Sequence, residues 1–323
     1  MFEPKITKIP IKKIADFLKS DYSGKNIQVS TISSLDNIKN NSVLFYSKMS
    51  DPDFNLKDTV HYDLKKLKNY KNIVLICEKE TTKLVKNIPT IISKNPRLDF
   101  SRIMMKFFAS DEFKPAIHRS SIIEKTSSIG KNVYIGPHCY IGKNVKIGNN
   151  VKILSNTSIF GRTKIGDNSV IQSNTTIGSE GFGFIFDGKS SFHFPHVGSI
   201  TIGKNVWIGS NSTIDKSTLD TTIIEDDVKI DTLVNIGHNT TIWKSTWISA
   251  NTTICGRAKI GKNCLIAPNS VVDVGIEIGD NCLIGSASLV RKNFPKNSVL
   301  IGSPARVLRK NNWSVKYGFY FKK

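Results

Sequence analysis

An aliphatic residue recurs at every sixth position through most of the chain after residue 116. Unbroken runs cover Ile117–Ile177, Ile202–Ile214 and Ile224–Val290. A period of six fits neither an amphipathic helix nor the alternation of a strand. It predicts a coil in which each six-residue unit forms one short strand and one corner, with its aliphatic side chain stacked on the equivalents in neighbouring coils. Glycine and asparagine recur near the ends of the units, where they permit tight bends.

The repeat is interrupted twice. From Ile177 to Ile202 the interval is 25 residues, one more than four repeats, and from Ile214 to Ile224 it is ten, four more than one. Insertions in a repeat array become loops on one face, often the binding face. The first interruption contains GSEGFGFIFDGKSSFHFPHVG and predicts an inserted loop over 179–199 that folds over a ligand. A compact loop with a purely structural role would have a similar composition.

The segments on either side of the repeats lack the six-residue period. In residues 1–110, IKKIADFLKSD and NPRLDFSRIMMKFFAS have the pattern of amphipathic helices, and NIVLICE that of a buried strand. They predict a small α/β head domain over 1–110, followed by the repeat domain over 111–292. The tail over 293–323 is basic and aromatic, and its prolines end the regular coil. It is expected to cap the open end of the repeats or to contact a partner.

Charge and cysteine content limit the partners and the compartment. The net charge is +20, but the lysines are spread over the repeats and accompany no nucleic-acid-binding motif, which argues against nucleic acid. A basic surface also suits an acidic carrier protein or a nucleotide substrate, unless the charge is only compositional. The five cysteines include no CxxC pair and are expected to be reduced and structural. With no secretory signal and no apolar run of membrane-spanning length, we expect a cytoplasmic protein.

The repeats resemble those of the hexapeptide acyltransferases. That resemblance implies a mainly β fold, a left-handed parallel β-helix with three units, or 18 residues, per coil. Handedness comes from the resemblance, because crossover connections are ordinarily right-handed. The alternative of another class is a non-catalytic β-solenoid that serves as a scaffold or binding module.

The α/β head, the GSEGFGF insertion and the segment VKIDTLVNIGHNTTI narrow the resemblance to the LpxD-type N-acyltransferases of lipid A biosynthesis, over about residues 10–290. The resemblance implies transfer of a 3-hydroxyacyl group from acyl carrier protein to the 2-amino group of a UDP-3-O-acyl-glucosamine. It implies a homotrimer with each active site between two β-helices, and no cofactor apart from the thioester donor.

Carried over by this resemblance, His238 is the general base, a role that suits a histidine at cytoplasmic pH. Gly256 lies eighteen residues later, and its backbone N–H is expected to bind the oxyanion. Asp231 is expected to orient His238, although a turn residue would look the same. Phe182, His193 and His196 are candidate contacts for the acceptor sugar, and Phe45 for the uracil. Without catalysis, His238 would be a corner residue bonded to the next coil.

Three departures from the family pattern leave a second enzymatic function open as an alternative. Gly275 stands where the family has a second histidine, and Asp51 where a second uracil-binding aromatic is expected. The tail sequence IGSPARVLRK resembles the ending of CoA-dependent sugar acetyltransferases. The alternative is therefore a CoA-dependent acyltransferase acting on a nucleotide-linked amino sugar of a surface polysaccharide. No other histidine lies at coil spacing from His238, so the sequence predicts no metal site.

Overall fold

The structure, a computed structural model, describes residues 2–5, 7–47, 64–311, 313–314 and 321–322. The chain divides into two compact units, Met1–Glu112 and Phe113–Lys323. Asp51 lies outside the described residues. Among the described helices, none is both long and apolar enough to span a bilayer.

The first unit is a small α/β fold, as predicted. Its main sheet has five strands, in the order Tyr22–Ser23, Thr90–Ile92, Val74–Cys77, Ser42–Phe45 and Thr31–Ile32. The central strand is buried along its whole length, because helices pack against the sheet. Burial, with the nearby charge of Glu78 second, raises the pKa of the Cys77 thiol to about 12, so this cysteine stays protonated and unreactive.

The predicted helices of this unit are confirmed. The first begins at Ile11 and ends at Leu18, and it buries its apolar face. The second runs from Pro96 to Ile103, with the Asn95 side chain accepting a hydrogen bond from the Leu98 N–H as its N-cap. The remaining elements of the unit are strands Phe2–Pro4, Ile9–Pro10, Gln28–Val29 and Ala109–Asp111, 3₁₀ helices Leu64–Asn69 and Lys79–Lys83, and π-helix Met104–Phe108.

The second unit is a parallel β-helix with three sheets, here called sheets 1, 2 and 3. The strands of sheet 1 are Ala116–Ile117, Tyr134–Ile135, Lys152–Ile153, Val170–Ile171, Trp207–Ile208, Lys229–Ile230, Trp247–Ile248, Leu265–Ile266, Leu283–Ile284, Ser298–Gly302 and Ala305–Lys310. Those of sheet 2 are Ile122–Ile123, Tyr140–Ile141, Ser158–Ile159, Thr176–Ser179, Thr213–Asp215, Asn235–Ile236, Thr253–Ile254, Val271–Val272 and Leu289–Val290. Those of sheet 3 are Ser128–Ile129, Lys146–Ile147, Thr163–Ile165, Ser199–Ile202, Thr221–Ile224, Thr241–Ile242, Lys259–Ile260 and Glu277–Ile278.

Successive strands of a sheet pair in register at a spacing of 18 residues outside the interruptions, as Ile236 does with Ile254. Three units therefore make one coil, and the aliphatic of each unit points into the axis. These side chains form one continuous buried core, and each buried isoleucine contributes roughly 1.5–3 kcal/mol of transfer free energy. Most corners contain a residue with positive φ, usually asparagine, such as Asn251 at 58°. The periodic aliphatics and the corner asparagines thus have separate physical roles.

The first interruption forms a loop with a short antiparallel hairpin, Phe184–Phe186 paired with Ser191–His193. Near the C-terminus, Ala305–Lys310 pairs antiparallel with Ser298–Gly302 at the edge of sheet 1. The last described elements are Trp313–Ser314 and Phe321–Lys322. All five cysteines are free.

Candidate functional site

His238 lies at the corner that follows strand Asn235–Ile236 of sheet 2. Its Nδ1 is 2.8 Å from the Asn239 side-chain oxygen Oδ1. That oxygen also accepts hydrogen bonds from the N–H and the hydroxyl of Thr218, while the Asn239 amide donates to Ser217 Oγ. The amide orientation is therefore fixed with its oxygen toward the imidazole. Since an oxygen can only accept here, Nδ1 carries the proton and the lone pair lies on Nε2.

Gly256 stands one coil further on, against the face of this ring. A Cβ added at Gly256 would lie 2.8 Å from His238 Nε2 and 3.1 Å from both Cδ2 and Cε1, and these distances place it directly over the ring at Nε2. Glycine thus allows the imidazole to lie flat against the neighbouring coil. The Gly256 N–H has no hydrogen-bond partner among the described residues, which leaves it available to an oxyanion. Its catalytic role stays a prediction.

Asp231 lies apart from His238 of the same chain, and its role toward the imidazole stays a prediction. This residue follows strand Lys229–Ile230 of sheet 1, seven residues before His238, and so occupies a different corner of the coil. Its carboxylate accepts a hydrogen bond from the Thr232 N–H, as a turn residue does. In the described chain, Asn239 takes the expected place of Asp231 at Nδ1. Sequence reasoning missed Asn239 because asparagine is the ordinary corner residue of this array.

The insertion places His196 beside His238. The two ring centroids are 4.9 Å apart and the rings are nearly perpendicular, at 78°. Gly181 packs against both rings, since a Cβ there would lie 2.8 Å from His238 Cδ2 and 3.0 Å from His196 Nε2. His196 is only 2% exposed, so in this conformation it cannot contact a sugar as the sequence predicted. It forms part of the wall behind the candidate base.

Other parts of the insertion are open to solvent. Phe182 is 91% exposed, and its ring centroid lies 5.1 Å from that of Phe184. His193 is about half exposed and its Nε2 lies 3.2 Å from a carboxylate oxygen of Glu180. Both predicted sugar contacts are therefore accessible, and both remain predictions. The surrounding exposed side chains are mostly apolar, namely Phe184, Ile185, Phe186, Phe192 and Phe194.

A carboxyl group that sequence reasoning did not single out also belongs to this region. Asp215 ends strand Thr213–Asp215 and accepts a hydrogen bond of 2.7 Å from the Ser179 hydroxyl. Burial raises the pKa of Asp215, while that hydrogen bond and the charges of His238 and His196 lower it in part. When ionised, Asp215 therefore provides a negative charge that both imidazoles feel. The only sequence signal for it was the break in the repeat after Ile214.

The remaining positions each have a separate local environment. In the first unit, Phe45 is partly buried with its ring centroid 4.9 Å from that of Phe100, and its role toward uracil stays a prediction. Gly275 has a φ of +69°, and a Cβ there would meet nothing within 4 Å. His138 has a φ of 57°, as a corner residue does, and exposed His118 pairs with Ser120. Neither needs a functional explanation.

Comparisons with known proteins agree with this architecture. Three family models match parts of the chain: the GMPPB C-terminal domain over 117–181, the hexapeptide repeat of succinyl-transferase over 199–232, and the bacterial transferase hexapeptide (six repeats) over 244–273. The predicted hexapeptide repeats are thereby confirmed.

Curated relatives have the name implied by the sequence resemblance. A UDP-3-O-acylglucosamine N-acyltransferase of Syntrophus aciditrophicus is 49% identical over 138 residues, 43% of this chain and 38% of that protein. UDP-3-O-acylglucosamine N-acyltransferase 2 of Legionella pneumophila (strain Lens) is 43% identical over 86 residues, 27% of this chain and 25% of that protein. The matched segments thus span well under half of the length of these relatives.

Solved structures support the fold. LpxA from Acinetobacter baumannii superimposes with a TM-score of 0.56 at 26% identity, covering 60% of this chain and 74% of that one. A UDP-N-acetylglucosamine acyltransferase from Francisella novicida gives a TM-score of 0.57 at 24% identity, with 64% and 74% covered. Those proteins are acyltransferases by name, and the shared element is the β-helix.

Proposed function

We propose that this chain is an acyltransferase that moves a 3-hydroxyacyl group from an acyl carrier protein thioester to the 2-amino group of a UDP-3-O-acyl-glucosamine, working as a homotrimer in the cytoplasm. The names of the curated relatives support the acceptor and the reaction. The observation that carries the proposal is the imidazole of His238, whose Nδ1–H is held by Asn239, so that the lone pair lies on Nε2, and whose ring face packs against Gly256.

The chemistry follows from that arrangement. The acceptor nitrogen attacks the thioester carbonyl and forms the new C–N bond. His238 Nε2 takes a proton from that nitrogen, so no ammonium remains. Charge develops on the carbonyl oxygen, and the unpartnered N–H of Gly256 is the donor proposed to bind it. The tetrahedral intermediate then expels the thiolate, to which the imidazolium returns the proton. Asp215 contributes negative charge while the imidazolium exists.

The test follows release of free thiol from 3-hydroxyacyl carrier protein in the presence of UDP-3-O-(3-hydroxyacyl)-glucosamine. His238→Ala should reduce turnover by about 10²- to 10⁴-fold, the usual contribution of a general base. His118→Ala is the matched control, because it removes an exposed imidazole from the first coil. Equal rates in both variants, from folded protein, would exclude His238 as the base. Light scattering on the same preparation should give the mass of a trimer.

A second candidate rests on the tail sequence IGSPARVLRK, which forms the last two strands of sheet 1. It is a CoA-dependent acyltransferase acting on a nucleotide-linked amino sugar. The donor distinguishes the two, since the proposed enzyme should use acyl carrier protein thioesters much faster than acyl-CoA. Equal rates with both donors would favour the CoA-dependent enzyme. A non-catalytic solenoid would give no turnover with either.

A further inference from the structure

Three side chains of the insertion that can bind a metal ion converge beside the candidate base. Glu180, His193 and His196 each offer one ligand atom, and these atoms all lie within 4.8 Å of one another. The closest pair, His193 Nε2 and Glu180 Oε2, is 3.2 Å apart. Ligands at the usual zinc distances of a tetrahedral site stand about 3.3 Å apart. A small closure of the hairpin would therefore bring the whole set to bonding distance.

His196 has the protonation pattern of a metal ligand. Its Nδ1 lies 3.1 Å from the carbonyl oxygen of Phe194, and since a carbonyl only accepts, Nδ1 is the protonated nitrogen. Nε2 is then a lone pair, and it is buried with no partner among the described side chains. Metal-bound histidines commonly donate their second N–H to a carbonyl in this way.

We propose that Glu180, His193 and His196 form a binding site for a divalent transition-metal ion of the zinc type. Two imidazoles and one carboxylate are a donor set that zinc accepts in sites where water or a ligand completes the coordination. The ion ties the hairpin, through His193, to the end of strand Thr176–Ser179, next to Glu180. The sequence prediction of no metal site considered only coil spacing, which does not apply inside an insertion.

Lys216 is the one described cation that competes for this site through an ion pair with Glu180. Its Nζ lies 3.5 Å from Glu180 Oε1, whereas the other oxygen faces His193. The His196 backbone N–H donates a hydrogen bond of 3.3 Å to that other oxygen, Oε2. Removing Lys216 should strengthen metal binding, because the ammonium that competes for the Glu180 carboxylate is gone.

The experiment titrates Zn²⁺ into the full chain, freed of any tag and of metal, by isothermal calorimetry at pH 7. We expect one ion per chain. His193→Gln and Glu180→Gln should each weaken binding by at least about tenfold, as loss of a ligand or of its support does. Lys216→Met should tighten it. His118→Gln, which removes an exposed imidazole outside the cluster, is the control and should change nothing.

Two results would overturn the proposal: no saturable binding of one Zn²⁺ per chain, or binding that His193→Gln and Glu180→Gln leave as strong as in His118→Gln. Because heat of binding is measured without substrate, this test is independent of the acyl transfer reaction. Thiol release without zinc binding would overturn only the metal site. Zinc binding without thiol release would overturn only the proposed transferase function.

Discussion

Replacing Gly256 by alanine tests whether the close packing of the His238 ring face against this glycine is needed for catalysis. The added Cβ would lie 2.8 Å from Nε2 and 3.1 Å from both Cδ2 and Cε1 of His238. Since favourable contacts begin near 3.5 Å, the ring must retreat by about 0.7 Å. Gly256 does not have a positive φ, so alanine strains the backbone little, and the methyl group is the main perturbation.

The retreat affects both nitrogens of the ring. The shift is perpendicular to the ring plane, so it lengthens the 2.8 Å contact between Nδ1 and Asn239 Oδ1 only to about 2.9 Å, but it takes the N–H out of line with the oxygen and weakens the hydrogen bond. The free energy of unfolding should then fall by about 1 kcal/mol. Nε2 moves away from the attacking nitrogen, and a displacement of about 1 Å at a reacting group costs on the order of 10²-fold in rate. We therefore expect a large loss of kcat/KM with a small loss of stability.

The thiol-release assay with the acyl carrier protein donor measures the rate, and thermal unfolding measures the stability. Gly285→Ala is the control, because its Cβ meets the Ile301 Cγ2 methyl at the same 2.8 Å, away from His238. That flexible side chain can turn aside, so kcat/KM should stay within about twofold. Wild-type kcat/KM in Gly256→Ala, with the fold intact, would refute the role assigned to the packing of His238 against Gly256.

Two further predictions concern the groups around His238. Asn239→Ala should lower kcat by about 10²-fold because the imidazole loses its orientation. It should also lower the melting temperature, because alanine must adopt the φ of 60° at this corner. Asn251→Ala, at a corner with a φ of 58°, is the control and should lower the melting temperature alike while kcat stays unchanged. Asp215→Asn should raise the melting temperature at pH 7. Since burial raises the pKa of Asp215 in the folded state, protonation favours folding below the ordinary value of 3.8, and this benefit is lost as pH rises through the folded pKa. The difference between the two proteins should therefore vanish at low pH, and a melting temperature lower than wild type at pH 7 would contradict this account.

The sequence predicted the β-helix because one physical rule, a buried aliphatic at every sixth position, applies to each coil independently. It also predicted that Gly256 stacks on His238, since a spacing of 18 residues is one coil. It failed where the period does not apply. Glu180 lies within the first interruption, where its position depends on loop geometry that no repeat encodes, and Asp215 ends strand Thr213–Asp215 where the second interruption begins. Asp231 was predicted from a family motif, whereas the coil geometry puts it at another corner of the same chain, so its role stays a prediction.

The insertion also bears on Gly275, the glycine at the position where the family has a second histidine. The resemblance implied a second histidine at that position, and its absence suggested an enzyme with a different site. In the structure a second imidazole does stand beside His238, but His196 of the insertion supplies it, in edge-to-face contact at 4.9 Å. The position of Gly275 is an open corner with a φ of +69°, where glycine is favoured over other residues. The glycine therefore does not leave the candidate base without a second imidazole, and it gives no reason to prefer the CoA-dependent alternative.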